Sequence, residues 1–72
     1  MAIKPGFYIM ANGDSALITG WVPVIGHADG GHWAGMVDPR STTRSPLNSW
    51  TKDGKDCDGY SAWDIVVQED KA

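Results

Sequence analysis

The sequence has little that would crosslink the chain through disulfides or anchor it in a membrane. It contains one cysteine among 72 residues, so Cys57 has no partner for an intramolecular disulfide, whereas small secreted domains usually carry several. No stretch approaches the roughly 18 consecutive apolar residues that a membrane span needs. Asn12, Gly13 and Asp14 interrupt the first hydrophobic stretch before it reaches signal-peptide length. We therefore expect a cytoplasmic chain with no signal peptide and no membrane partner.

Positive charge is also scarce. Six Lys and Arg residues stand against nine Asp and Glu, which gives a net charge of −3 and a pI near 4.9. Binding to nucleic acid or to an anionic membrane depends on basic side chains that neutralise phosphate. The charge balance therefore argues against direct nucleic-acid binding, and it favours a host protein with a basic surface as the partner.

The sequence lacks the motifs that assemble catalytic groups. It has no Gly-x-Ser-x-Gly nucleophile elbow, no P-loop and no Gly-x-Gly-x-x-Gly fingerprint. Cys57 lies between Asp56 and Asp58, and their negative charges raise the pKa of a thiol, so it is a poor nucleophile. A domain of this size also has little room for a deep cleft. We expect no enzymatic activity and no cofactor.

Two histidines form the best candidate for a metal site. His27 and His32 lie on either side of Asp29-Gly30, and a tight turn there would place them opposite each other across a β-ladder. Zinc needs three or four ligands, however, and further candidates such as Cys57 lie on another hairpin. A metal-dependent enzyme built on the two histidines remains a third hypothesis, and no metal is predicted.

An acidic run occupies residues 53–59. Aligned as an EF-hand loop with Gly59 at position 6, it would place Gly54 at position 1 and Ile65 at position 12, where oxygen ligands are required, so the EF-hand motif is rejected. The remaining alternatives are a solvated surface and a patch that docks against basic residues of a partner. The members of that patch are Asp53, Asp56 and Asp58.

The feature that the sequence does contain is a β pattern. Its apolar residues, 42% of the chain, recur with period two, and nine Gly and four Pro interrupt them too often for a helix. Hairpin turns are predicted at Asn12-Gly13, Asp29-Gly30 and Asp53-Gly54. The pattern predicts an all-β protein, either a small antiparallel bent sheet or an SH3-like barrel, of four to five strands with one short helical turn. Residues 1–72 form a single domain in this interpretation, with residues 1–5 and 68–72 frayed.

The first hairpin sets which side chains share a face. A two-residue type I′ loop at Asn12-Gly13 would pair Ile9 with Ala16. One face would then carry Phe7, Ile9, Ala16 and Ile18, and the other would carry Tyr8, Met10, Leu17 and Trp21. Both faces are apolar, which is why a sheet that bends on itself is expected. Gly20 and Pro23 favour a bulge or an edge position in the second strand.

The second half of the chain predicts one long loop and several short strands. Residues 38–46 are polar and bracketed by two prolines, which is typical of a mobile surface loop. Strands are expected at residues 33–37, 47–51 and 65–67. Ser61 and Asp64 have the spacing of an N-cap and an acidic N3 residue, so one helical turn is predicted before the last strand.

Aromatic and basic side chains supply the candidate binding residues. The tryptophans outnumber the two or three that so small a core can hold, and they are Trp21, Trp33, Trp50 and Trp63. A partly exposed Trp is typical of protein interfaces, and it can also stack on a sugar or a base. We expect exposure first at Trp33 and then at Trp50 and Tyr60. Arg40 and Arg44, on the 38–46 loop, are candidates to pair with carboxylate or phosphate.

Residues 50–66 resemble known proteins. They contain Trp-Thr-Lys-Asp-Gly-Lys and, further on, Ser-Ala-Trp-Asp-Ile-Val. An aromatic-Thr-x-Asp-Gly hairpin followed by a Ser-x-x-Asp-Leu-like segment is similar to the C-terminal half of small hypothetical proteins encoded by phages and prophages. The resemblance covers about a quarter of the chain, and it implies a small β-module with no established enzymatic role.

Two classes of function follow. The first is a phage-type accessory factor, in the cytoplasm of a bacterial host cell, that inhibits or modulates a host protein, for example as an anti-CRISPR or other anti-defence factor. It would act through an acidic, Trp-bearing surface that competes for the Lys and Arg residues of a nucleic-acid-binding groove. The second is a small-ligand or carbohydrate-binding module with Trp33 and Trp50 as stacking platforms. A homodimer through unpaired strand edges is a further expectation.

Overall fold

Five β-strands and two short 3-10 helices make up the chain in a computed structural model, which describes residues 2–41 and 45–69. The strands are β1 (Gly6–Met10), β2 (Ser15–Pro23), β3 (Gly31–Val37), β4 (Leu47–Trp50) and β5 (Ile65–Gln68). The 3-10 helices are Pro39–Ser41 and Ser61–Trp63. The predicted all-β class and the helical turn before the last strand are confirmed.

All five strands belong to one antiparallel sheet in the order β4-β3-β2-β1-β5. The first four strands form a meander, and β5 returns to pair with β1, so that Ile9 lies opposite Val67. This is the strand order of an SH3-like barrel, one of the two arrangements that the sequence predicts. The edge strands β4 and β5 are joined by residues 51–64, which we call the closing segment.

The first hairpin has a loop one residue longer than expected. The backbone N–H of Gly13 donates to the Met10 carbonyl, and the N–H of Met10 donates to the Asp14 carbonyl, both at 2.9 Å. Gly13 has φ +89°, so it supplies the left-handed residue of a three-residue loop with a G1 bulge. The predicted two-residue type I′ loop is therefore wrong, although a hairpin does form at this position.

The longer loop changes which side chains share a face. Ala16 pairs with Tyr8 rather than with Ile9, and a one-residue slip moves a strand's whole apolar set to the opposite face. The predicted face assignment is therefore wrong for most of β2. The core face carries Tyr8, Met10, Ala16 and Ile18, and the outer face carries Phe7, Ile9 and Leu17.

A bulge at Thr19 changes the alternation again along β2. Ile18 lies opposite Gly35, but Gly20 lies opposite Ala34, so Thr19 is the extra residue. Its hydroxyl donates to the Ala34 carbonyl at 3.0 Å. Because of this insertion, Trp21 lies on the same side of the sheet as Ile18. The bulge that the sequence predicts near Gly20 is confirmed.

The core lies on one side of the sheet, beneath the closing segment and the N-terminal residues. It consists of Ile3, Tyr8, Met10, Ala16, Ile18, Val37, Trp50, Trp63 and Ile65, with Trp33 partly buried against them. The Tyr8 hydroxyl donates to the Lys4 carbonyl and accepts from the Lys4 N–H, each at 3.0 Å. These bonds hold the segment that carries Ile3 against β1.

The second hairpin ends in a seven-residue loop, residues 24–30, instead of a tight turn at Asp29-Gly30. The N–H of Val24 donates to the Gly30 carbonyl at 3.0 Å, and the N–H of Gly30 donates to the His27 carbonyl at 3.0 Å. A second turn, in which the His27 N–H donates to the Val24 carbonyl, precedes it. The loop therefore contains two successive turns, and the prediction of a tight turn is wrong in length.

The third turn repeats the geometry of the first. The Gly54 N–H donates to the Thr51 carbonyl at 2.9 Å, and the Thr51 N–H donates to the Lys55 carbonyl at 2.8 Å. Gly54 has φ +87°, as the G1 position of such a loop requires. The predicted turn at Asp53-Gly54 is confirmed, and a bridge between Trp50 and Asp56 follows it.

Candidate binding surface

Trp50 is the centre of the core and presents no surface to a partner. It is fully buried, and its indole Nε1–H donates to the Trp63 carbonyl oxygen at 2.8 Å. This bond ties β4 to the 3-10 helix of the closing segment. The expectation that Trp50 is exposed, as an interface residue or as a stacking platform, is therefore wrong.

Asp56 is also a structural residue. Its side chain is buried, with Oδ1 accepting from Asn48 Nδ2 at 2.7 Å and Oδ2 accepting from the Tyr60 N–H at 2.9 Å. Its own N–H donates to Asp64 Oδ1 at 2.8 Å. A carboxylate turned inward in this way fixes the closing segment. The prediction that Asp56 belongs to an exposed acidic patch is therefore wrong.

The other two members of the predicted acidic patch differ from Asp56 in exposure. Asp53 lies on the third turn and Asp58 follows Asp56, and both are exposed. Asp56 itself forms an isolated bridge with Trp50 before the chain turns. Two of the three predicted members of the acidic patch are therefore exposed, and the third is a buried structural residue.

Trp21 and Trp33 form an aromatic pair at the exposed end of the sheet. They lie opposite each other on β2 and β3, with ring centroids 5.2 Å apart and planes at 76°, an edge-to-face contact. Trp21 is 37% exposed and Trp33 is partly buried. The sequence predicts Trp33 as the most exposed tryptophan, whereas the bulge at Thr19 places Trp21 farther from the core.

The aromatic pair lies at the base of a hairpin with an apolar tip. We call residues 21–33 the hairpin arm. Every residue from Trp21 to Gly30 is exposed, and Ile25 is 106% exposed in its turn. Val22 and Val24 add further exposed apolar side chains. Such an accumulation of exposed apolar side chains on one hairpin is typical of an interaction site.

The two histidines of the arm do not face each other. His32 lies on β3 opposite Val22. His27 lies in the loop, where its Nδ1 accepts from the Asp29 N–H at 3.1 Å. The predicted juxtaposition of His27 and His32 is therefore wrong. Within residues 2–41 and 45–69, no three His, Cys, Asp or Glu side chains come together in a group able to hold a metal ion.

The third turn lies beside the hairpin arm. Lys52 Nζ is 3.9 Å from Asp29 Oδ1, a long ion pair between partly exposed groups. Exposed pairs of this kind contribute little to stability. The contact places the third turn, which also carries Asp53, beside the loop at the tip of the arm. Charged and aromatic side chains therefore share one end of the molecule.

The remaining predicted binding residues are dispersed. Tyr60 is exposed, and its ring centroid is 6.4 Å from that of Trp63 on the closing segment. Arg40 lies on the 3-10 helix after β3, and its side chain is engaged by Asp38, with Nη2 to Oδ2 at 2.9 Å. This hydrogen bond lowers the pKa of Asp38 and raises that of Arg40. Arg44 lies outside the described residues.

Cys57 is exposed, but its surroundings disfavour the thiolate. Partial desolvation raises the pKa of its thiol, and the negative charges of Asp56 and Asp58 raise it further. A thiol with a raised pKa is a weak nucleophile at neutral pH. The direction of the pKa shift agrees with the sequence prediction, although desolvation contributes more than either carboxylate alone.

The outer face carries an apolar row that sequence reasoning missed. Strand pairing places four side chains next to one another across β1, β2, β3 and β4, and we call them the outer row: Phe7, Leu17, Met36 and Leu47. Phe7, Met36 and Leu47 are exposed. Because the row depends on the register of β1 and β2, a correct loop length at Gly13 would have revealed its first half.

The described helices are the two 3-10 turns, and no helix in this part of the chain is long and apolar enough to cross a membrane. Comparisons with known proteins return no match to a protein-family model, to a curated protein or to a solved structure.

Proposed function

We propose that this chain is a non-enzymatic binding protein that attaches to another protein through its hairpin arm. The observation that carries the proposal is the pair formed by Trp21 and Trp33. Trp21 is 37% exposed and is held edge-to-face against its neighbour at 5.2 Å. A Trp that is exposed and also fixed in orientation loses little conformational freedom when it is buried by a partner.

The rest of the arm extends the contact that the aromatic pair begins. Among the described residues, Ile25 is the most exposed large apolar side chain, at 106%. Val24 precedes it in the chain. Insertion of these side chains into a pocket would remove apolar surface from water, which is worth about 25 cal/mol per Å². The hydrogen-bonded turns of residues 24–30 hold the tip in shape before binding.

Charge near the arm supports a partner with a basic surface. The net charge of the chain is −3, and Asp29 and Asp53 lie at the end of the molecule that carries the aromatic pair, with Lys52 beside Asp29. Complementary charge accelerates encounter more than it adds affinity. The apolar arm would therefore supply most of the affinity, and the carboxylates would steer the approach.

The biological setting of the proposal is a phage-type accessory factor that inhibits or modulates a host protein, for example an anti-CRISPR or another anti-defence factor. The resemblance of residues 50–66 to phage and prophage proteins supports this setting. A small protein with an apolar arm and carboxylates on and beside that arm can occupy a groove that otherwise binds nucleic acid, because it competes for the same basic residues.

The alternative, a carbohydrate-binding or small-ligand module, is less well supported. It requires at least two open aromatic faces, and Trp50, one of the two expected platforms, is fully buried. The other, Trp33, is in edge-to-face contact with Trp21 and partly buried. A stacked sugar would therefore have Trp21 as its main platform.

The experiment is capture of partners from bacterial lysate, followed by measurement with the purified partner. Wild-type protein is compared with Trp21→Ala, and Leu47→Ala serves as the matched control because Leu47 is an exposed apolar residue outside the arm. We expect Trp21→Ala to weaken binding by about 30-fold, the loss of a typical aromatic hot spot, and Leu47→Ala to leave it unchanged. Capture should weaken as salt increases.

Equal binding by wild type and Trp21→Ala would overturn the assignment of the arm. Titration of sugars and nucleotides, followed by Trp fluorescence, tests the alternative. A saturable response to a sugar that Trp21→Ala abolishes, without any protein captured in a salt-sensitive way, would replace the protein-binding proposal with a ligand-binding one.

A further inference from the structure

The outer face of the sheet has a second, separate apolar surface. Within the five described strands, no residue is Asp, Glu, Lys or Arg. The charges of the described chain therefore lie in its turns, loops and ends. Across the middle of the outer face run Leu17, Met36 and Leu47, with Phe7 at the end of the row. Met36 is 42% exposed and Leu47 is 66% exposed.

Met36 separates two depressions of the outer face. One, of about 260 Å³, is lined by Phe7, Leu17 and Met36 together with Ser15, Ala16, Val37, Pro39 and one charged residue, Asp38, which is paired with Arg40. The other, of about 330 Å³, is lined by Met36 and Leu47 together with the smaller residues Thr19, Ala34, Gly35, Asn48 and Ser49. The face thus combines projecting apolar side chains with recesses large enough to receive such side chains.

We propose that the outer row is the contact surface of a homodimer, in which the outer faces of two copies pack against each other. A charged partner would have to lose water from its charged groups against strands that offer no opposite charge, which is costly. A second copy has no such cost, because the apolar face meets its own equivalent. The net charge of −3 on each chain stays in turns and loops around the contact.

Two-fold symmetry also fits the order of the row. In an isologous contact each residue meets a position related by the axis. With the axis between β2 and β3, Phe7 of one copy would face Leu47 of the other, and Leu17 would face Met36. Each large side chain then meets a different one, and the projecting Leu47 reaches the recess beside Phe7. This packing is distinct from a dimer through strand edges.

The area indicates a weak dimer. Five strands about 4.8 Å apart, with four to nine residues of about 3.3 Å each, span roughly 20 by 20 Å. Two such faces would bury an area at the lower end of specific interfaces, where binding is transient. The association should therefore be detected as a concentration-dependent equilibrium and not as a permanent dimer.

Sedimentation equilibrium tests the proposal over about 10 µM to about 1 mM, the range in which weak interfaces exchange. The wild-type mass should rise with concentration from 7.8 kDa toward twice that value. Met36→Lys and Leu47→Lys should each lower the association constant at least tenfold, since each places a charge in an apolar contact. Ile25→Lys, the matched control on the hairpin arm, should leave the association constant unchanged.

A second measurement does not depend on substitution. In a spectrum of the chain labelled at its Met methyl groups, the Met36 signal should shift with protein concentration. The Met10 signal should not, because Met10 is buried in the core. Added salt should strengthen association, because it screens repulsion between two chains of like net charge. Association that weakens with salt would contradict a contact made by strands without charged residues.

Three outcomes would overturn the proposal. A mass of 7.8 kDa at all concentrations, together with a Met36 methyl signal that does not shift with concentration, would exclude the dimer. A dimer that survives Met36→Lys and Leu47→Lys but is lost in Val66→Pro would assign association to the β5 edge. Loss of the dimer in Ile25→Lys would assign it to the arm. Because Trp21→Ala should not affect dimerisation, this proposal and the arm proposal can fail separately.

Discussion

The two tryptophan pairs of this protein have the same side chains but differ in burial. Trp50 and Trp63 are buried, and the indole N–H of Trp50 donates to the Trp63 carbonyl at 2.8 Å. Trp21 and Trp33 meet edge-to-face on the hairpin arm, with Trp21 37% exposed. The buried pair joins β4 to the closing segment, whereas the second pair lies at the edge of the core, with Trp33 partly buried against it. Trp content alone therefore says nothing about which tryptophans bind a partner.

The position of each Trp relative to the bulge explains the difference. Trp50 ends β4 directly above the core and pairs with Trp33 across the sheet. Trp21 follows the bulge at Thr19, and the strand continues from there into the exposed arm. Trp33 lies between Trp21 and Trp50 in the sheet, and it is partly buried because it lies at the boundary between the core and the hairpin arm. Exposure increases across three neighbouring strands from β4 to β2, which gives a single gradient to test by substitution.

The largest effect is expected at Trp50. Trp50→Ala should lower the free energy of unfolding by about 3–5 kcal/mol, the usual cost of a large core truncation. Trp50→Phe, which keeps an aromatic ring but leaves the Trp63 carbonyl without its donor, should cost about 1–3 kcal/mol. Urea unfolding followed by far-UV circular dichroism measures both. A loss below about 1 kcal/mol in Trp50→Ala would contradict its central place in the core.

A somewhat smaller effect is expected at Asp56, which holds the closing segment to which Trp63 belongs. Asp56→Ala removes acceptors of the Asn48 amide and the Tyr60 N–H, and hydrogen bonds to a charged group are worth about 1.5–3 kcal/mol. Asp53→Ala is the control, since Asp53 is exposed and should change stability by less than about 0.5 kcal/mol. Equal stability of the two variants would show that Asp56 is dispensable.

Trp21 should contribute much less than Trp50 to stability. Trp21→Ala loses one edge-to-face contact, worth about 0.5–1.5 kcal/mol. Acrylamide quenching of Trp fluorescence gives an independent measure of the same difference. Trp21→Phe should remove the most readily quenched emission, while Trp50→Phe should leave it in place. If quenching were unchanged in Trp21→Phe, the exposure gradient across the sheet would be wrong.

The smallest effect is expected at the tip of the arm. Ile25→Ser should change the free energy of unfolding by less than about 0.5 kcal/mol, because Ile25 is fully exposed. Urea unfolding again provides the measurement. A loss above about 1 kcal/mol would mean that the tip packs against another part of the chain, and the arm could then not serve as a preformed binding surface.

The sequence predicts the strands and turns well because each has a local signal. Asn12-Gly13 and Asp53-Gly54 both mark hairpins, and both are found. The length of each loop has no such signal, since Gly suits a type I′ turn and the G1 position of a three-residue loop equally. This one-residue difference decides which face of β2 is buried. Because the loop length could not be predicted, the outer row could not be predicted either.

The candidate site is less predictable because it depends on contacts distant in sequence. Asp56 looks like a surface residue in an acidic run, and only its bonds to Asn48 and Tyr60 show that it faces inward. Trp50 has no local mark that separates it from Trp33. The exposure of Ile25 depends on a seven-residue loop that the Asp29-Gly30 signal does not reveal. Sequence alone therefore identifies the residue types of the surface but not their places.

The pairing of β5 with β1 has a consequence for the order in which the chain becomes structured during synthesis. The hairpin of β1 and β2 can form early, because its contacts are local. One side of β1 then has no partner until Ile65–Gln68 has left the ribosome, since chains are made from the N-terminus at about 5–20 residues per second. The indole N–H of Trp50 likewise has no Trp63 carbonyl to donate to until that residue has been made. A nascent chain of this protein should therefore stay sensitive to proteases until β5 emerges, and then become resistant in one step.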